Sequence, residues 1–227
     1  VWDTAWMGLV NLENNIEVDD LVDWFVKKEI KMKGDWSVKR KNALPGGWAF
    51  QFNNKYYPDV DDTALVGMFL ERYNRINQKK SIQAILDRTR KWIVSMQSKN
   101  GGWGAFDIDN THYILNSIPF ADHGALLDPP TSDVSARCLS FLKQLNDKRD
   151  RDCINKSVNF LLSEQEKDGS WYGRWGTNYI YGTWSVLSAL NLVDLNNKIK
   201  LITSPDNYLK KMQRNDGGWG EDGKSYY

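Results

Sequence analysis

Three aspartates fall within Tyr56-Tyr57-Pro58-Asp59-Val60-Asp61-Asp62-Thr63-Ala64. Carboxylates this close cannot all ionise cheaply, so at least one keeps its proton at neutral pH. Aromatic residues stand beside them in Gly46-Gly47-Trp48-Ala49-Phe50-Gln51-Phe52 and in Tyr56-Tyr57. A retained proton among rings suits an acid that must protonate a poor base. The rings also suit the cation that results, through their quadrupoles. An alkene is such a base. The plainer reading is a helix N-cap with extra acids in its first turn, since Pro58 precedes the cluster and the apolar run Ala64–Leu70 follows it.

Other reactive residue types offer less. His112 and His123 with the distant Cys138 and Cys153 do not give zinc-ligand spacing. His123 reads as an exposed loop residue, and Cys138 as a small core residue on an apolar helix face. The glycines of Gly101-Gly102-Trp103-Gly104 fit no phosphate loop or dinucleotide fingerprint. Asp107-Ile108-Asp109 lacks the rest of a calcium loop. No metal and no cofactor are expected.

The elements that must position the acids repeat along the chain. Gln97 to Trp103, Gln165 to Trp171 and Gln213 to Trp219 share the form Q-x-x-x-G-x-W. A degenerate copy runs from Glu29 to Trp36. Each full copy follows a helical pattern, as in Ile82, Ile85, Leu86, Thr89, Trp92, Ile93 and Met96. A helix from Ser204-Pro205, with Pro in its first turn, is expected before Gln213. Further helices are expected near 3–14, 19–29, 60–75, 133–146 and 180–194, with long loops at 34–58, 99–131 and 167–179. No β-alternation is evident. The pattern predicts an all-α chain of helix pairs, closed as an α/α toroid or open as an α-solenoid. The repeated Trp residues serve the repeat, tying each helix end to its neighbours. A site uses residues that occur once.

Composition sets the bounds. The chain has 227 residues, 41% hydrophobic and 26% charged, which excludes a disordered or fibrous protein. A net charge of +1 gives no electrostatic case for nucleic acid. No apolar run approaches the ~20 residues that span a bilayer. Two cysteines make no disulfide scaffold, and a reducing compartment fits. The excess is in large rings, with 11 Trp. A first residue Val1 and an unfinished end at Tyr227 read as an internal piece of a longer protein.

With these motifs in place the chain resembles the squalene–hopene cyclases. Asp59-Val60-Asp61-Asp62-Thr63-Ala64 resembles their DxDDTA acid motif, and the Q-x-x-x-G-x-W copies resemble their QW repeats. Val1-Trp2-Asp3-Thr4, Ile118-Pro119-Phe120, Asp128-Pro129-Pro130 and Gly169 to Gly182 agree as well. The resemblance implies a fold of two α/α barrels, of which this piece belongs to the acid-bearing one, the second being absent. It implies that Asp61 donates the proton to the terminal double bond of squalene, with Asp59 and Asp62 flanking and tuning it. Trp2, Phe50, Phe106, Trp175 and Tyr181 match positions where the family lines its cavity, Phe50 nearest the early cations. Two departures follow. Arg137 stands where some members carry the His that sharpens the donor; a fixed positive charge does this too but cannot relay protons. Asp133, four residues earlier on the same helical face, is expected to orient it. Phe106 stands where some members carry Tyr.

The resemblance further implies an apolar polyprene substrate drawn from a membrane, a monotopic and dimeric complete enzyme at the cytoplasmic side of a bacterial membrane, and no activity from this piece alone. Three other readings stay open. Class II diterpene cyclases also carry DxDD. A sugar-active enzyme on an α/α toroid would place two acids on separate elements. A Trp-rich binding scaffold would expose its rings.

Overall fold

The computed structural model describes residues 1–114, 127–195 and 198–226. It is 59% helical, and no strand occurs among the described residues. The α-helices in chain order are α1 (Trp2–Glu13), α2 (Asp19–Lys28), α3 (Val60–Asn77), α4 (Lys80–Ser95), α5 (Ser132–Leu145), α6 (Arg151–Ser163), α7 (Tyr179–Asn191) and α8 (Lys198–Met212). Ile118-Pro119-Phe120 and His123 lie outside the described residues.

Helices α1, α3, α5 and α7 pack side by side in that order, while α4, α6 and α8 pack behind α3, α5 and α7. Helix α2 joins the rear row through Phe25, 5.6 Å from the Phe69 ring of α3. The arrangement is part of an α/α toroid of inner and outer helices, as expected.

Sequence explains which row each helix joins. Helix α4 buries Ile82, Ile85, Leu86, Thr89, Trp92 and Ile93, a single stripe at helical spacing. Inner helices are buried on most sides: α5 buries every residue from Ser132 to Leu142. Close approach of α3 to α5 depends on Gly67, where a Cβ would meet the Phe141 ring at 2.5 Å. Start and stop are also local. Asp59 caps α3 by accepting from the Asp62 amide at 3.0 Å, and Gln78 ends it in the left-handed region at φ 49°.

The repeat turns are built alike. The indole N–H of Trp103 donates to the Ile93 carbonyl at 2.8 Å, that of Trp171 to Leu161 at 2.6 Å and that of Trp219 to Leu209 at 2.8 Å. Each satisfies a carbonyl in the last turns of the preceding outer helix. The Gln amide instead closes the turn: Gln97, Gln165 and Gln213 donate to the carbonyls of Gly101, Gly169 and Gly217. Those glycines have φ of 95°, 93° and 85°, which explains their recurrence.

Two expectations are corrected. Trp36 is not the tryptophan of the first repeat. It sits buried in a 3₁₀ turn, and Trp48 holds the motif position, its indole donating to the Phe25 carbonyl at 2.8 Å. The amide of Ile30 donates to the Gly47 carbonyl at 2.8 Å, as that of Ser98 does to Gly102 at 2.9 Å. Glu29 therefore occupies the Gln position, and the 31–46 segment is inserted inside the turn. Spacing alone favoured the nearer Trp. Pro205 also lies inside α8 rather than at its start. A proline there gives up its N–H bond and crowds the carbonyl four residues before it, yet α8 begins at Lys198 and continues through it to Met212.

Candidate active site

The first three repeat turns dock on the N-terminus of the next inner helix. The Trp48 amide donates to Thr63 Oγ1 at 2.9 Å, the Trp103 amide to Ser135 Oγ at 2.9 Å and the Trp171 amide to Thr183 Oγ1 at 3.0 Å. This sets α3, α5 and α7 in one register with their N-termini at the same end. Asp61, Asp133 and Tyr181 each stand two residues before those hydroxyls, so the repeat itself gathers them.

The N-terminal ends border a cavity of about 380 Å³ lined by Trp2, Phe50, Asp59, Asp61, Asp62, Phe106, Trp175, Gly176 and Tyr181. The expected flanking acids, donor and five aromatic residues thus meet on one surface. Phe50 is 61% exposed and Trp175 40%, so this chain forms one wall of an open pocket.

The acids divide their work. Asp59 is the helix cap, so the plainer reading holds for it. Asp61 caps nothing: its Oδ1 accepts from Arg137 Nε at 3.4 Å, and both side chains are almost wholly buried. Burial pushes the Asp61 carboxyl up to about 7, against the pull of Arg137 and with help from Asp133 and Asp62. Burial likewise raises Asp62 to about 7, and its Oδ1 has no hydrogen-bond partner among the described residues. Burial, then the charges of Asp62 and Asp61, hold Asp59 well above the usual carboxylate range. A carboxyl near 7 keeps on the order of 10³ times more of its acid form at pH 7 than an ordinary aspartate.

Arg137 is enclosed by indoles. Its guanidinium lies 5.0 Å from the Trp2 ring, 5.5 Å from Trp6 and 5.4 Å from Trp184, and Nη2 donates to the Tyr181 hydroxyl at 3.1 Å. Rings hold the cation without neutralising it, which leaves its charge for Asp61. Trp6 and Trp184 escaped the sequence reading, although Trp2 and Trp6 are spaced to share a helix face.

Asp133 does not orient Arg137. Its Oδ1 accepts from Thr131 Oγ1 at 2.7 Å, and its Oδ2 from the amides of Arg174 at 2.9 Å and Trp175 at 3.2 Å. A short side chain at a helix N-terminus reaches nearby amides more readily than a residue one turn on. Asp133 therefore holds the loop that carries Trp175. Cys138 is buried beside this cluster and Cys153 is buried farther out, both as free thiols. His112 is exposed.

No helix among the described residues is long and apolar enough to cross a membrane. Residues 1–227 match the family model of the squalene-hopene cyclase C-terminal domain. The chain is 52% identical over 207 residues to a squalene–hopene cyclase of Bradyrhizobium diazoefficiens, covering 90% of this chain and 31% of the relative. It is 48% identical over 233 residues to a squalene–hopene cyclase of Zymomonas mobilis, covering 100% of this chain and 35% of the relative. A dammaradiene synthase of Dryopteris crassirhizoma is 42% identical over 249 residues, covering 100% of this chain and 36% of the relative. The chain thus spans about a third of the length of these relatives. Matched from end to end by the domain model, the chain belongs to the squalene–hopene cyclase family.

Proposed function

We propose that this chain forms the acid-bearing wall of an enzyme that cyclises squalene. The observation that carries the reading is a buried acid on a ring-lined pocket, its carboxyl pushed up to about 7 by burial and paired with a cation that its conjugate base can keep.

Asp61 gives its proton to one carbon of the terminal double bond, forming a C–H bond. The other carbon becomes a tertiary cation, and the carboxylate stays paired with Arg137. The next double bond attacks that cation, and successive ring closures pass the charge along the chain. Trp2, Phe50, Phe106, Trp175 and Tyr181 stabilise the cations through their ring faces and keep water away. Loss of a proton, or capture of one water, ends the sequence as a pentacyclic hopene or hopanol. Asp59 and Asp62 raise the proton affinity of the cluster. No metal or cofactor enters these steps.

The substrate is insoluble in water, which supports delivery from a membrane. A monotopic, homodimeric enzyme at the cytoplasmic face of a bacterial membrane is the setting that the family resemblance suggests. One open wall supports inactivity of this piece by itself. The test is to incubate the full-length parent protein with squalene in detergent. The apolar extract is then analysed by gas chromatography–mass spectrometry. Pentacyclic products are expected, and squalene left unconsumed by folded protein would overturn the reading.

A further inference from the structure

Phe106 is held in an unusual way for a ring on a reaction pocket. It lines both the 380 Å³ cavity and a second cavity of about 560 Å³. Among the described residues Tyr57 is its one ring partner, at 5.2 Å. Its backbone is fixed by one buried carboxylate. Asp128 Oδ1 accepts from the Ala105 amide at 3.0 Å, and Oδ2 accepts from the Phe106 amide at 2.6 Å and the Asp107 amide at 2.5 Å. Gly104 lets that carboxylate approach, since a Cβ there would meet Asp128 Oδ2 at 2.8 Å.

The same carboxylate accepts from Arg174 Nη1. The Arg174 guanidinium in turn lies 5.2 Å from the ring of Trp175, which lines the 380 Å³ cavity with Phe106. Its own amide is tied to Asp133. An unbroken chain thus runs from the Phe106 backbone through Asp128 and Arg174 to the Trp175 ring.

We infer that Asp128 and Arg174 are positioning residues that set the separation of the Phe106 and Trp175 walls, and with it how far the polyprene chain closes before its cation is quenched. The inference rests on the cyclase reading above. Neither residue meets the substrate, because Arg174 and Asp128 face the second cavity and not the first. A ring displaced by an ångström stabilises the wrong cation or leaves a cation open to water, and misplacement of that size costs about a hundredfold in a well-oriented step.

The experiment uses the full-length parent with Asp128→Asn and Arg174→Gln, assayed with squalene and analysed for every cyclised product. Both variants are expected to consume squalene at a rate within about tenfold of the parent while the share of incompletely cyclised products rises by about tenfold. Arg174→Lys, which keeps the charge but not the planar stack, is expected to fall between. The Arg174 side chain is 22% exposed, so its variants keep the measurement meaningful if Asp128→Asn fails to fold. Slower turnover with an unchanged product profile in Arg174→Gln would overturn the inference and reduce the chain to a fold support. If the parent itself does not cyclise squalene, the cyclase reading fails first, and that result is distinct.

Discussion

Replacing Arg137 by Gln removes a full charge 3.4 Å from the Asp61 carboxyl while keeping a side chain of similar length. At that distance and an effective dielectric of ~20, the interaction amounts to about 5 kcal/mol. Converted at 1.36 kcal/mol per pH unit, its loss raises the proton affinity of Asp61 by about 3.6 pH units. The sign follows from the charge. Arg137 favours the carboxylate, so without it the carboxyl holds its proton more tightly and is a poorer donor. If about half of that difference is expressed in the transition state, kcat falls about 60-fold. Because the donor must be protonated, the parent should lose activity as pH rises through about 7. The variant should show a lower plateau and an alkaline limb displaced upward by about 3.6 pH units, beyond about pH 10. Squalene turnover by the full-length enzyme between pH 5 and 10 reads the plateau and shows whether the limb near 7 has moved out of that range. A lower plateau with an unmoved limb would refute the electrostatic role, leaving Arg137 as a packing partner of the three indoles.

Asp62 has no partner for its Oδ1 among the described residues and binds its proton more tightly folded than unfolded. The stability linked to that proton is present below the ordinary value of 3.8 and lost as pH rises through about 7. Asp62→Asn should therefore stabilise the full-length enzyme at pH 8 by up to about 4 kcal/mol and leave it unchanged near pH 4; a Tm difference that does not vary with pH would contradict this. Trp171→Phe should cost about 1–3 kcal/mol by removing a buried hydrogen bond to the Leu161 carbonyl, Trp103→Phe about 1 kcal/mol because the Met96 amide still reaches the Ile93 carbonyl, and Trp219→Phe, half exposed, less than about 0.5 kcal/mol. Equal losses in urea unfolding would show that the tie is independent of burial. Gly101→Ala should be far more damaging than Gly217→Ala, because its Cβ would meet the Lys156 carbonyl at 2.4 Å while nothing lies within 4 Å of the other. Thermal melts compare them directly. Glu29→Gln should destabilise by about 1–3 kcal/mol although it restores the repeat's consensus, since Glu29 accepts from Arg88 Nε and Nη2 at 2.8 Å each; a neutral change would contradict that pairing.

The all-α toroid and the helix order were legible because amphipathic spacing, caps and the recurring Gln–Gly–Trp turn are local signals. The acids and five rings on the pocket were legible through a motif, since Asp61 looks no different from a capping residue until its burial against Arg137 is seen. Trp48 was missed because an insertion separates it from Glu29, and sequence spacing cannot tell which of two tryptophans returns to the helix. Pro205 was misplaced because proline chemistry favours a first turn without requiring one. Asp133 was given the wrong partner: helix spacing placed it beside Arg137, while its carboxylate is taken by amides 41 and 42 residues away. Long-range backbone contacts of this kind leave no periodic trace, and the same holds for Asp128 and Arg174.

That the Asp61 proton starts the reaction is tested most directly by cyclisation in deuterated water, comparing the full-length parent with Asp61→Asn. A buried carboxyl that exchanges with solvent between turnovers should place one deuteron on the ring formed first, visible as a single mass increase in every cyclised product. The variant, which folds but has no proton to give, should form no product. Cyclised product from the variant, or product from the parent without deuterium, would contradict the assignment of Asp61 as the donor.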